Sequence, residues 1–182
     1  ERVHGKFNQE ITATGRLSSS GPNLQNQDPR VRHAYRVREG VTLIAADYSQ
    51  QELRILAHLS QDQNMLTAFR NGEDIHAQTA SLLHVPRRLA KNVNFGIPYG
   101  AGPDAIARQG KCSKAQAQEL LGAHRRQYPE LWEYLEELRQ QVRKHGYAET
   151  ITGRRRYLPG IYSNLPEVVA AAERAAVNMP IQ

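Results

Sequence analysis

Within "LIAADYSQQELRIL" (43–56) an apolar run, Leu43 to Ala46, ends on one carboxylate, Asp47, and Glu52 follows five residues later. A lone carboxylate is costly to bury unless a cation or hydrogen-bond donors meet it. Asp47 therefore belongs either at a solvated strand end or beside a cation. A turn after a strand presents the carboxylate outward, where a hard cation wants oxygen ligands. Asp is also a common helix N-cap, and the segment taken alone favours that ordinary role. Glu52 taken alone reads as a solvated helix position.

A second stretch, "RRLAKNVNFGIPYG" (87–100), places Arg87, Lys91, Phe95 and Tyr99 four residues apart. Each step of four drifts roughly 40° around a helix, so the first three form one slanting stripe of cation, cation and ring. That order suits a nucleotide, with cations on the phosphates and the ring against base or sugar. A solvated basic face with Phe95 turned into the core fits the spacing equally well. Pro98 breaks the helix before Tyr99, so spacing does not give the direction of Tyr99. In the loop "TGRLSSSGPNLQN" (14–26), Arg16, Asn23, Gln25 and Asn26 can reach phosphates, sugars or minor-groove base edges. The same Asn and Ser residues also suit a turn that bonds its own backbone. His76, in "EDIHAQTA" (73–80), gains interest only if it faces Arg87 and Lys91.

The 182 residues suit one domain or two sub-domains, and 40% hydrophobic content can fill a core. A charge of +6 and a pI of about 9.7 point to a polyanionic partner. The cations cluster at Arg87, Arg88 and Lys91, at Arg125 and Arg126, and at Arg154, Arg155 and Arg156. The single Cys112 excludes an intrachain disulfide framework and a Cys-rich zinc site. No signal peptide and no apolar run near the roughly 18 residues of a membrane span is visible. The expectation is a soluble intracellular protein without a membrane partner.

Helices are expected over 50–59, 63–70 with Asp62 as cap, 74–83, 87–97, 114–126 with a Ser113/Gln116 capping box, and 129–145 between Pro129 and Gly146. A last helix opens at Pro166 and ends before Pro180. A strand is expected over 41–46, and "YAETITGRRRYLP" (147–159) reads as a hairpin turning at Thr152-Gly153. Residues 1–40 read as turns and extended pieces. The class is α+β, mostly helical.

Together "TGRLSSSGPNLQN", "DYSQQELRILAHLSQD", "EDIHAQTAS", "RRLAKNVNFGIPYG", "TGRRRYLP" and "AAERAAVNMPIQ" resemble, in order, the palm and fingers motifs of the family A (bacterial polymerase I-like) DNA polymerases. Six matches in order span nearly the whole chain and displace the ordinary readings given above. The resemblance implies part of a right-hand polymerase: a palm segment over 1–58, helical fingers over 59–165 with the nucleotide-binding helix 87–97, and a helix over 166–182 returning to the palm. Asp47 would be the first catalytic aspartate, binding two Mg²⁺ ions with the Tyr48 carbonyl as a further ligand. Glu52 matches the steric gate against a ribose 2′-hydroxyl. Arg87, Lys91 and His76 match triphosphate contacts, and Phe95, Tyr48 and Gln50 match the surroundings of the incoming nucleotide. Tyr99 matches the tyrosine beside the templating position. Arg16, Asn23, Gln25, Asn26, Arg174, Asn178 and Gln182 match primer–template contacts. The implied partners are primer–template DNA and dNTP. The implied home is the cytoplasm (nucleoid-associated) or a phage, with an organelle as a third option.

The chain departs from that pattern in several places. It stops at Gln182, before the His-Asp-Glu motif whose Asp supplies the second metal ligand, so the isolated chain is expected to be inactive and the remainder of the polymerase to be missing. The stretches between "NLQN" and "VRHAYRV" and between "LLHVP" and "RRLAK" are short, through either missing loop residues or true deletions. Gln51 and Pro98 stand where the family usually has apolar and aliphatic residues. The competing functions are a non-catalytic or split piece that binds primer–template, another two-metal enzyme such as a nuclease, and a single-subunit RNA polymerase. The stripe speaks against the nuclease, which holds no incoming triphosphate, and Glu52 speaks against the RNA polymerase.

Overall fold

A computed structural model describes residues 2–182. The chain divides into two compact units, Glu1–Ser49 and Gln50–Gln182.

The first unit holds one antiparallel hairpin, β1 (Lys6–Asn8) paired with β2 (Ser18–Ser20), in which Phe7 stands opposite Ser19. A 3-10 turn follows at Arg32–Ala34. Gly15 takes φ 82° near the hairpin end, a conformation that costs glycine little. Ser19 alone among the described residues of this unit is buried. The strand expected over 41–46 does not form. The segment has no ladder partner among the described residues, and Leu43 and Ile44 are 77% and 86% exposed. Its apolar, β-branched composition gives the propensity, but a strand exists only by pairing.

The second unit is a helical assembly: α1 (Gln51–Ser60), α2 (Gln63–Arg70), α3 (Ile75–Leu83), α4 (Arg87–Gly96), α5 (Pro103–Gly110), α6 (Lys114–Gln127), α7 (Pro129–His145) and α8 (Pro166–Asn178). A small hairpin, β3 (Tyr147–Glu149) with β4 (Arg155–Tyr157), and a 3-10 turn at Pro159–Tyr162 lie between α7 and α8. Every helix expected from the sequence is present within two residues of its predicted bounds. The reason is local chemistry. Asp62 accepts from the Met65 N–H, the Ser113/Gln116 capping box closes on both sides, and Gly146 ends α7 at φ 74°. Helix α5 was not foreseen: it has eight residues and buries only Ile106, too little for a periodic signal.

The main core gathers Leu53, Leu56, Met65, Ile75, Val93, Ile106, Leu131 and Leu135, so α1 to α7 share one interior. A smaller cluster of Val142, Ala148, Leu158, Ile161, Ala172 and Ala176 seats the hairpin and α8 on the end of α7. Each fully buried Leu or Ile contributes about 1.5–3 kcal/mol before the cost of ordering the chain. Asp62 is fully buried and joins two helix starts, accepting from the Met65 N–H at 3.0 Å and the Leu131 N–H at 3.3 Å. Burial holds its carboxyl above the usual range, partly offset by those two N–H donors, while the nearby Glu130 adds to the rise.

Candidate nucleotide-binding face

Arg87, Lys91 and Phe95 lie on one uninterrupted helix, α4, as their spacing requires. Arg87 and Lys91 are exposed and Phe95 is half-buried against the main core. His76, in the first turn of α3, does face this stripe: its ring centroid is 5.3 Å from that of Phe95. The Lys91 ammonium stands 6.0 Å from the Phe95 centroid on the outer side of the same helix. Two exposed cations and a half-buried aromatic ring therefore line one side of α4, with the buried imidazole of α3 against the ring.

Arg87 is engaged by a group that sequence reasoning passed over. Its Nε and Nη2 donate to Asp74 Oδ2 at 2.8 and 2.6 Å. The other Asp74 oxygen caps α3, accepting from the N–H groups of His76 and Ala77 at 2.9 and 3.3 Å. Burial pulls the Asp74 pKa upward, but Arg87 and the two backbone donors outweigh it, and the carboxyl sits below its ordinary value. Burial lowers the His76 pKa, Asp74 works against that, and the positive charges of Arg87 and Lys91 lower it further. The balance favours the neutral imidazole over the imidazolium.

A second group forms where the start of α1, the segment after α4 and the end of α8 converge. The Tyr99 hydroxyl donates to Glu52 Oε2 at 2.7 Å and accepts from Gln182 Nε2 at 3.2 Å. Gly100 follows at φ 74°, and a Cβ there would come within 2.6 Å of the Arg174 side chain. Only glycine allows this approach of α8. Gln50 caps α1 in the left-handed region, and its Oε1 and the Oδ1 of Asn178 are buried without a partner among the described residues. The structure thus brings together Glu52, Tyr99 and Gln182, with Arg174 against the next residue, as spacing could not.

The remaining sites lie in the first unit. Asp47 and Tyr48 are exposed. Asp47 is not a helix cap, since α1 begins at Gln51 behind Gln50, with no side-chain cap. Asn23 and Gln25 serve their own turn: Asn23 Oδ1 accepts the Gln25 N–H at 2.9 Å, and Gln25 Nε2 donates to Leu17 O at 3.1 Å. Arg16 and Asn26 are exposed. The described residues include no group of three or more His, Cys, Asp or Glu side chains able to hold a metal. Asp47 and the Tyr48 carbonyl offer oxygen donors of the right hardness for Mg²⁺, but they do not make a coordination shell. No helix among the described residues is long and apolar enough to cross a membrane.

Beneath the face lie Asn94 and His124, which the sequence reading also missed. Both carried a signal: each is a polar residue in the buried stripe of its helix, Asn94 beside Ala90 and Val93, His124 after Ala117 and Leu120.

Known proteins resemble this chain in sequence and fold. The profile of DNA polymerase family A matches residues 1–182. Thermostable DNA polymerase I of Thermus aquaticus is 43% identical over 196 aligned positions, which cover 100% of this chain and 24% of that protein. DNA polymerase I of Pseudomonas aeruginosa is 42% identical over 196 positions, covering 100% of this chain and 22% of its own length. The alignments are longer than the 182 residues here, so the relatives carry positions that this chain lacks, in keeping with its two short segments. The solved POL domain of Pol1 from M. smegmatis, in complex with DNA primer-template and dNTP, superposes with a TM-score of 0.86 at 42% identity, over 99% of this chain and 35% of that one. The chain thus spans about a quarter of the curated relatives it matches. Over all of its length, it belongs to DNA polymerase family A.

Proposed function

We propose that this chain is the palm-and-fingers portion of a template-directed DNA polymerase that adds dNTPs to a primer 3′-end. The observation that carries this reading is the α3–α4 face, where Arg87, Lys91, His76 and Phe95 stand together. Arg87 and Lys91 would hold the triphosphate, Arg87 exchanging its Asp74 partner for phosphate oxygens, and His76 would add a hydrogen bond. Phe95 would lie against the base or sugar. Glu52, held by the Tyr99 hydroxyl, would crowd a ribose 2′-hydroxyl. Tyr48 and Gln50 would lie beside the nucleotide. Arg16, Asn23, Gln25, Asn26, Arg174, Asn178 and Gln182 would contact primer and template, with Asn23 and Gln25 shaping their loop as well. Residues 1–58 and 166–182 would then be palm, and 59–165 fingers.

Asp47 and the Tyr48 carbonyl would hold Mg²⁺, which when bound lowers the barrier by activating the 3′-hydroxyl and neutralising the leaving pyrophosphate. Asp47 would supply charge, and the α3–α4 face would supply orientation. The test is protection of Lys91. Added dNTP with Mg²⁺ should shield Lys91 from amine modification while leaving Lys111 and Lys114 reactive. Equal labelling of all three with and without nucleotide would sink the reading.

A second reading keeps the DNA but not the chemistry: a primer–template-binding piece. It draws on the lack of a three-ligand metal cluster among the described residues. Under it, the 182 residues bind primer–template without extending it, and extension appears only when further metal ligands are supplied. Extension by these 182 residues alone, with Mg²⁺, would exclude it.

A further inference from the structure

The interior behind the α3–α4 face holds a line of polar side chains. Trp132 Nε1 lies 3.1 Å from His124 Nδ1, His124 Nε2 lies 3.1 Å from Asn94 Oδ1, and Asn94 Nδ2 lies 3.1 Å from His76 Nδ1. Asn94, His124 and His76 are 4%, 2% and 2% exposed. The line therefore runs from α7 through α6 and α4 to α3, ending on the imidazole that faces the stripe.

Its direction follows from one group. An indole N–H can only donate. His124 Nδ1 must therefore accept, and a neutral ring then carries its proton on Nε2. That N–H needs an acceptor, which turns Asn94 Oδ1 toward His124. The Asn94 amide nitrogen is left facing His76, so His76 Nδ1 accepts and the His76 proton sits on Nε2. Thr79, whose hydroxyl can donate or accept, accommodates this orientation without fixing it. Its hydroxyl donates to Ile75 O at 2.8 Å and accepts from Asn94 Nδ2 at 3.1 Å, with the Tyr128 hydroxyl 3.0 Å away. Reversing the Asn94 amide would turn its Nδ2 toward His124 Nε2, force the His124 proton onto Nδ1 and set that N–H against the indole N–H. Burial pushes the His124 pKa down to about 3, so the ring stays neutral and the direction holds at neutral pH.

We propose that Trp132, His124 and Asn94 are positioning residues that lock His76 as the neutral imidazole protonated on Nε2, so that it meets a nucleotide phosphate as a donor. This rests on the nucleotide reading above. An imidazole of the other tautomer would turn a lone pair toward the phosphate oxygens, and burial, joined by the Arg87 and Lys91 charges against the pull of Asp74, disfavours the imidazolium that would otherwise remove the problem. Among the described residues no protein group accepts from His76 Nε2, which leaves that N–H for a ligand.

The experiment is long-range ¹H–¹⁵N correlation of the imidazole nitrogens in the ¹⁵N-histidine-labelled chain at neutral pH. Both His76 and His124 should show one neutral form, protonated on Nε2. A His76 protonated on Nδ1, or averaging between the two forms, overturns the proposal in the unmodified protein. Trp132→Phe removes the only fixed donor three hydrogen bonds away from His76. It should leave His124 and His76 averaging between tautomers, and an unchanged His76 spectrum would overturn the relay. In the complete polymerase the same variant should raise KM for dNTP about fivefold with little change in kcat, the scale of one neutral hydrogen bond. Should the spectra respond as expected while dNTP with Mg²⁺ shifts neither His76 nitrogen, the lock stands as structure, but its role toward phosphate is overturned together with the nucleotide reading.

Discussion

The two units differ in what holds them. Residues 2–49 bury a single side chain, Ser19, and form one hairpin of two three-residue strands. Residues 50–182 build eight helices around one main interior and a smaller annex. The first unit carries the carboxylate on which the chemistry would turn, and the second carries the groups that would hold the nucleotide. Helices close their hydrogen bonds within themselves, so a helical unit completes itself from its own residues. A lone extended segment such as 41–46 cannot.

The sharpest break of this comparison comes from Asp47→Ala. In the complete polymerase it should lower primer extension by at least ~10³-fold, the scale of losing a metal ligand, while the thermal midpoint of the 182-residue chain and its affinity for primer–template stay put. Loss of stability instead would show that Asp47 is structural. Leu135→Ala should do the reverse. Leu135 is fully buried in the main core, and its truncation should cost about 2–5 kcal/mol in urea unfolding.

Acid should act on the helical unit through His124. Its pKa is lowered from 6.5 to about 3, so below about pH 6.5 the unfolded chain binds a proton that the folded one refuses. Stability is full above that pH and falls as pH drops toward 3, by about 2 kcal/mol between pH 7 and 5. His76, lowered for the same cause, adds to the slope, whereas Asp62, held above its ordinary value, opposes it at the acid end. His124→Phe should flatten the dependence, whatever it does to stability at pH 7. The smallest effect belongs to the first unit. Ile44→Thr, at an 86% exposed position, should move the stability of this chain by no more than about 0.5 kcal/mol.

The contrast also explains what could be read in advance. Caps and breakers such as Asp62, Ser113, Pro129 and Gly146 act within a few residues, so α1 to α4 and α6 to α8 were legible. The strand over 41–46 was misread because propensity does not say whether a partner strand is present. The stripe of Arg87, Lys91 and Phe95 was legible as spacing on a helix. The engagement of Arg87 by Asp74, thirteen residues away, was not, since it depends on how α3 packs against α4. Nor was the bond from Tyr99 to Glu52, 47 positions apart. Asn94 and His124 stood in apolar stripes and could have been flagged as buried polar residues, though not as neighbours.

The Asp74–Arg87 pair sets a toll on anions. The guanidinium gives two of its five N–H donors to one carboxylate oxygen, so a ligand that displaces Asp74 must first replace those bonds. Under the nucleotide reading, a singly charged anion such as chloride would replace that partner without adding charge contacts. Only a ligand that brings several negative charges at once, spread widely enough to reach Lys91 as well, gains more than it displaces. On that reading the face would favour polyanions through a residue that also starts a helix.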